Sequence, residues 1–229
     1  MTTSRQNKQD DEAREIFVDG HALEEVHQCK YLGAMMNEEA TSTTEMKTRM
    51  AMATALLAKM NHVWRSREVR EKTKIELMKA LSTSIALCGC ESWTLSKNLE
   101  KKIAAFEIHC RCFRRLLGIH WHDCRTNASV LEEIRRKVRD YEPLLDVMKR
   151  RKMQRFGHVT RRPGTLAHTI MHGRVDGRRA QGRPRRNWVD DVRRWAEKPV
   201  EICMRMAQDK ETWRTTFQCP NGRNATGVT

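Results

Sequence analysis

Residues 96–118, SKNLEKKIAAFEIHCRCFRRLLG, carry the clearest helical pattern of the chain. Apolar side chains recur there at alternating spacings of four and three, at Leu99, Ile103, Phe106, Cys110, Phe113 and Leu117. This spacing places them on one face of an α-helix. Ser96 is a suitable cap for its start and Gly118 for its end. The stretch therefore predicts a helix that needs apolar partners elsewhere in the chain.

Similar apolar stripes lie on both sides of this helix. Ser42 and Glu45 predict a capping box, followed by a stripe at Met46, Met50, Ala53, Leu57 and Met60. Further helices are predicted from Glu71 to Cys88, after Asn127, and from about Pro143 to Phe156. Because short connections favour antiparallel neighbours, we expect residues 41–157 to form an antiparallel helical bundle.

The N-terminal part predicts a small antiparallel β element at residues 16–40, after a disordered segment at 1–15. Ile16-Phe17-Val18 favours a strand, and Asp19-Gly20 is a good two-residue turn. Residues 29–36 are interpreted as one further strand. A β element with so few strands is unstable alone in water, so it must pack on another element, such as the helices that follow. The predicted fold class is mainly α.

Charge is concentrated in one part of the chain. The net charge is +15, and residues 149–195 contain fifteen basic and only three acidic residues. Such a field favours phosphate partners through counterion release. We therefore expect residues 158–229 to form a basic loop/helix tail that binds nucleic acid, either RNA or DNA. Because this tail is polar and interrupted by glycine and proline, we expect it to contribute little to the core. A membrane partner is not expected, because the basic stretch has little apolar material to insert.

The stretch GRRAQGRPRRNW, residues 177–188, is the centre of this region. Glycine and proline favour an extended backbone, and an extended arginine strip suits a narrow nucleic-acid groove. A solvated basic loop is the simpler alternative. The candidate nucleic-acid contacts are Arg178, Arg179, Gly182, Arg183, Pro184, Arg185 and Arg186, together with Lys152, Arg155, Arg161 and Arg162.

Three groups of residues could suggest a metal site. Cys88 with Cys90, and Cys110 with Cys112, fall in predicted helices, where residues two apart point to different sides. The loop residues His120, His122 and Cys124 lack the partner set of a typical zinc site. We expect packed thiols and loop histidines, with no metal and no cofactor.

Asp190 and Asp191 could suggest the paired aspartates of a polymerase. Arg185 and Arg186 precede this pair and VRRW follows it, in place of the apolar flanks of a polymerase hairpin. Acids in the first turn complement the helix dipole, so a helix start is favoured instead. Neither a third carboxylate on a strand nor a phosphate-binding loop is recognisable. The sequence therefore predicts a protein that is not an enzyme.

The expected compartment is intracellular, nuclear or cytoplasmic. We recognise no secretory signal and no apolar run long enough to cross a bilayer. Eight cysteines in such a chain are most simply interpreted as reduced thiols.

Five motifs occur in one order between residues 16 and 217: CKYLG at 29–33, LCGCESWTL at 87–95, RRLLGIHW at 114–121, RFGHV at 155–159 and GRPRRNWVDDV at 182–192. Together they resemble the part after the palm in the endonuclease–reverse transcriptases of LINE-type, non-LTR retrotransposons. The resemblance implies a post-palm strand at 16–40, thumb-like helices at 41–157 that grip a primer–template duplex, and a nucleic-acid-binding tail.

The resemblance also implies what these residues do not supply. The palm, with its paired catalytic aspartates, and the endonuclease are not among them. The expected function is a transposon-derived, non-catalytic fragment that binds nucleic acid. Two alternatives remain open: a part of an RNA-directed DNA polymerase that is active only with a palm-containing reverse transcriptase chain, or a decayed fragment without function.

Overall fold

The computed structural model of the chain describes residues 16–38, 41–109, 113–114, 117–137, 141–173 and 186–218. These residues form a mainly helical fold with two small antiparallel β-hairpins near the N-terminus, which confirms the predicted fold class. Within these ranges every helix is too short or too polar to span a lipid bilayer.

The strands form two separate hairpins. β1 (Phe17–Val18) pairs with β2 (His21–Ala22), and the turn lies at Asp19-Gly20 as predicted. β3 (Gln28–Tyr31) pairs with β4 (Ala34–Asn37). The expectation of one strand over residues 29–36 is therefore wrong. Leu32 and Gly33 both have positive φ, 48° and 82°, so the chain reverses between them.

The helices follow in this order: α1 (Thr43–Lys59), α2 (Asn61–Arg65), α3 (Glu71–Met78), α4 (Ser84–Ala86), α5 (Lys97–His109), α6 (Asn127–Lys137), α7 (Leu144–Thr160), α8 (Leu166–His172), α9 (Trp188–Ala196), α10 (Val200–Gln208) and α11 (Lys210–Gln218). A π-helical turn, Lys79–Thr83, joins α3 to α4.

The second hairpin is anchored on α1 by the acid that the sequence assigned to a helix cap. Glu45 is buried and accepts a hydrogen bond from the Met35 amide (2.6 Å) and from Arg49 Nε (2.6 Å). Ser42 Oγ accepts from the Thr94 amide (3.1 Å), and makes no cap hydrogen bond to α1. The predicted capping box is therefore wrong, because tertiary contacts take both side chains.

The bundle has two apolar clusters. In the first, Met46 and Ala53 of α1 are buried with Ala86 at the end of α4. In the second, Leu57 near the end of α1 is buried with Ile75 of α3. Since the start of α1 meets the end of the α3–α4 segment, the two run antiparallel, as the sequence predicted.

The helix predicted from residues 96–118 is confirmed over the described part. The Leu99 amide donates to Ser96 Oγ (3.2 Å), which caps the start of α5. Leu99, Ile103 and Phe113 are buried, and Gly118 has the positive φ, 63°, expected after a helix end. α6 and α7 also lie where the sequence predicted helices.

A third apolar cluster lies in the region that the sequence assigned to a basic tail. Residues Val192, Cys203, Ala207 and Trp213, from α9, α10 and α11, are buried against Met153 and Phe156 of α7. The expectation that residues beyond 157 add little to the core is therefore wrong. Apolar residues are few in this region, but each short helix directs its own toward α7.

Candidate nucleic-acid interface

A buried ion pair joins α7 to α9. Lys152 Nζ lies 2.5 Å from Asp191 Oδ2, and both side chains are 0% exposed. Lys152 Nζ also donates to the Trp93 carbonyl (2.6 Å), and the Leu95 amide donates to Asp191 Oδ2 (2.8 Å). The prediction that Lys152 contacts nucleic acid is therefore wrong, because the folded protein encloses its ammonium group.

Two tryptophans complete the surroundings of this ion pair. Lys152 Nζ lies 4.5 Å from the ring centroid of Trp188 and 5.5 Å from that of Trp195. Burial lowers the pKa of Lys152 from its ordinary value of 10.5 to about 8, although the Asp191 carboxylate acts to raise it. Burial therefore dominates, since moving an ammonium group out of water disfavours its charged form.

Asp191 also holds the last arginine of the basic strip. Its Oδ1 accepts from Arg186 Nε (3.0 Å) and Nη2 (2.6 Å), and lies 3.5 Å from Arg194 Nη2. Asp190 Oδ2 accepts from the Asn187 amide (2.7 Å) at the start of α9. The predicted helix start is confirmed, and both carboxylates serve the local structure.

The exposed side of α7 carries cations close to this anchor. Arg155, His158 and Arg162 are exposed, and no carboxylate of the described residues forms an ion pair with Arg155 or Arg162. Partial burial lowers the pKa of His158, and the positive charges of Arg162, Arg155 and Arg161 lower it further. These three arginines are thus close enough to His158 to form one positive surface.

Apart from the buried Lys152, the candidate contacts predicted from the sequence fall into three groups. Arg155 and Arg162 are exposed and available. Arg161 and Arg186 are partly engaged, since Arg161 Nη1 donates to the Ala207 carbonyl (2.6 Å) and Arg186 binds Asp191. The others lie outside the described residues, namely Arg178, Arg179, Gly182, Arg183, Pro184 and Arg185.

The cysteine and histidine motifs do not form a metal cluster among the described residues, where no three His, Cys, Asp or Glu side chains converge. Cys88 is exposed and Cys90 buried. Burial raises the pKa of the Cys90 thiol to about 12, so it stays protonated at neutral pH. Cys110 and Cys112 lie outside the described residues.

Comparison of the chain with known proteins gave no match. No protein-family model matches it, and neither the curated proteins nor the solved structures contain a match. Any function must therefore be argued from the chain's own residues and contacts.

Proposed function

We propose that this protein binds nucleic acid, RNA or DNA, through a positive surface formed by α7 and the arginine strip that leads into α9. The observation that carries this proposal is the exposed group of Arg155 and Arg162 beside His158, without carboxylate partners among the described residues. A nucleic acid carries a condensed atmosphere of cations along its phosphates. Exposed arginines that lack acidic neighbours can take the place of these counterions, and the release of the counterions provides affinity.

The position of Arg186 supports a role for the strip that precedes it. The bidentate contact with the buried Asp191 fixes one end of the strip beside α7. The anchor thus favours a shared interface over an independent basic loop.

A non-catalytic role in nucleic-acid binding agrees with the motifs that resemble LINE-type reverse transcriptases. Asp190 and Asp191, the only adjacent aspartates after α7, are both occupied by structural contacts. We therefore propose that the protein has no polymerase activity of its own. Primer extension with manganese tests this proposal, and extension that Asp190→Asn abolishes would contradict it.

Fluorescence anisotropy with a mixed-sequence 20-base-pair duplex tests the binding proposal. Arg155→Ala/Arg162→Ala should weaken binding on the order of tenfold at low salt, because two phosphate contacts are lost. Arg135→Ala/Arg136→Ala is the matched control, since it removes two exposed arginines from α6. If the two variants bind the duplex with equal affinity, the proposal that the α7 surface contacts the duplex is wrong.

The strip needs its own variant. Replacing Arg178, Arg179, Arg183, Arg185 and Arg186 by alanine should reduce affinity for duplex DNA and structured RNA further than the α7 variant does. If this variant binds with wild-type affinity, the strip is only a solvated charged loop and does not contact nucleic acid. A pull-down of a palm-containing reverse transcriptase by the intact chain would favour the alternative of a split polymerase.

A further inference from the structure

A cleft of about 1660 Å³ opens between α7, α8, α9, α10 and α11. This volume exceeds the roughly 300–1,000 Å³ of pockets for drug-sized ligands. Its lining combines apolar side chains, including Ile170, Met204 and Phe217, with the exposed ring of His158. Ile170 is 75% exposed, so its side chain is accessible from the cleft.

The charged residues of the cleft make it attractive to a polyanion. Arg155, Lys210 and Arg214 line it, and none forms an ion pair within the described ranges. Two of its three acids are close to neighbouring arginines, Glu91 to Arg151 (3.9 Å) and Asp190 to Arg193 (3.6 Å), which leaves only Glu201 against these cations. The uncompensated charge is therefore positive.

We propose that this cleft binds unpaired nucleotides of a single strand, with bases on the apolar lining and phosphates at the cations. This inference rests on the proposed nucleic-acid binding, and it specifies that the ligand of the cleft is single-stranded. Proteins that bind single strands combine a positive groove with side chains on which bases stack. In a duplex the base faces already stack on each other, so the apolar lining would gain no contact from it.

The residues of the cleft suggest which contacts provide the affinity. Partial burial and the neighbouring arginines lower the pKa of His158, which favours the neutral ring that can stack on a base. Arg155 and Arg214 can pair with phosphates or stack on bases through their planar guanidinium groups. An acidic amphipathic peptide could also meet a positive rim, but it would not require the planar rings.

Fluorescence anisotropy with labelled dT12 and rU12, beside the 20-base-pair duplex, tests the inference on the full chain. His158→Ala and Ile170→Ala should each weaken single-strand binding at least about fivefold. Ile170→Ala, which lies outside the α7 surface, should change duplex affinity less than about twofold. His62→Ala and Leu166→Ala are matched controls, since both are exposed and neither lines the cleft. Leu166 is on the same helix as Ile170 and is 76% exposed.

The outcomes separate the two proposals. One outcome would overturn the cleft site and leave the proposed function standing. In that outcome the protein binds the duplex, and neither His158→Ala nor Ile170→Ala affects its binding of single strands. Absence of binding to every nucleic acid would overturn both. Binding of a helical leucine–glutamate peptide in the cleft, with no binding of dT12 or rU12, would also overturn the single-strand proposal.

Discussion

Lys152 and Asp191 are the residues on which the contact between α7 and α9 depends most. Removing one partner of a buried ion pair leaves the other charge without compensation, and typically costs about 3–5 kcal/mol. We therefore expect Asp191→Ala to lower the free energy of unfolding by this amount in urea denaturation. Lys152→Met should cost less, because Asp191 keeps its contacts with Arg186 and Arg194. If both substitutions lower the free energy of unfolding by the same small amount, Lys152 and Asp191 do not form a buried ion pair.

The lowered pKa of Lys152 predicts a pH dependence of stability. Folded Lys152 loses its proton near pH 8, whereas the unfolded lysine keeps it to its ordinary value of 10.5. Between these values the unfolded chain binds more protons, so this residue makes the free energy of unfolding rise with pH, by at most about 1.4 kcal/mol per pH unit. The difference between wild type and Lys152→Met should therefore grow from pH 8 to 10.5. A constant difference would mean that Lys152 stays charged.

The burial of Lys152 could have been predicted from its spacing. Met148, Lys152 and Phe156 are four residues apart, which places the lysine on the buried stripe of α7. The partner of Lys152 could not have been predicted in this way, because Asp191 is 39 residues away in sequence. Charge alone suggested a phosphate contact for Lys152, whereas the spacing of the buried stripe distinguishes it from the exposed Arg155.

At the scale of elements, α7 and α11 approach each other closely at Gly157. A Cβ atom at this position would lie 2.7 Å from Trp213 Cδ1, and the Trp213 Nε1 group donates to the Met153 carbonyl (2.8 Å). Gly157→Ala should therefore cost about 1–3 kcal/mol in urea denaturation, since overpacking forces the helices apart.

A double-mutant cycle identifies the origin of that cost. Trp213→Ala removes Cδ1 and Nε1, the two atoms nearest to the added methyl group, so the cost of Gly157→Ala should become smaller in the Trp213→Ala background. Additive costs of the two substitutions would show that the destabilisation arises elsewhere.

Regular apolar spacing made most helices predictable. Local capping signals gave a wrong prediction where tertiary contacts compete for the same side chain. The stripe from Leu99 to Phe113 needs only its own helix to be recognised. Glu45 has the sequence position of a capping residue, yet it binds the Met35 amide of a hairpin. The short helices α9–α11 were not recognised as core because each contributes only one or two buried apolar residues.

At the scale of the molecule, the C-terminal helices α9–α11 are a packed part of the fold and lie against α7, which carries Arg155. The clusters around α7 join the bundle to α9–α11, so the cations of α7 have fixed positions relative to Arg186 and to the cleft. Composition predicted the positive charge, but it could not tell which cations are enclosed. A preorganised surface binds without the entropic cost of ordering a free tail.

The salt dependence of duplex affinity tests the central claim most directly. The slope of log affinity against log salt should be about 1.8 units shallower for Arg155→Ala/Arg162→Ala than for wild type, since each phosphate contact contributes about 0.9. Arg135→Ala/Arg136→Ala should keep the wild-type slope. If both double variants change the slope equally, or neither changes it, the α7 surface does not contact phosphates and the account is wrong.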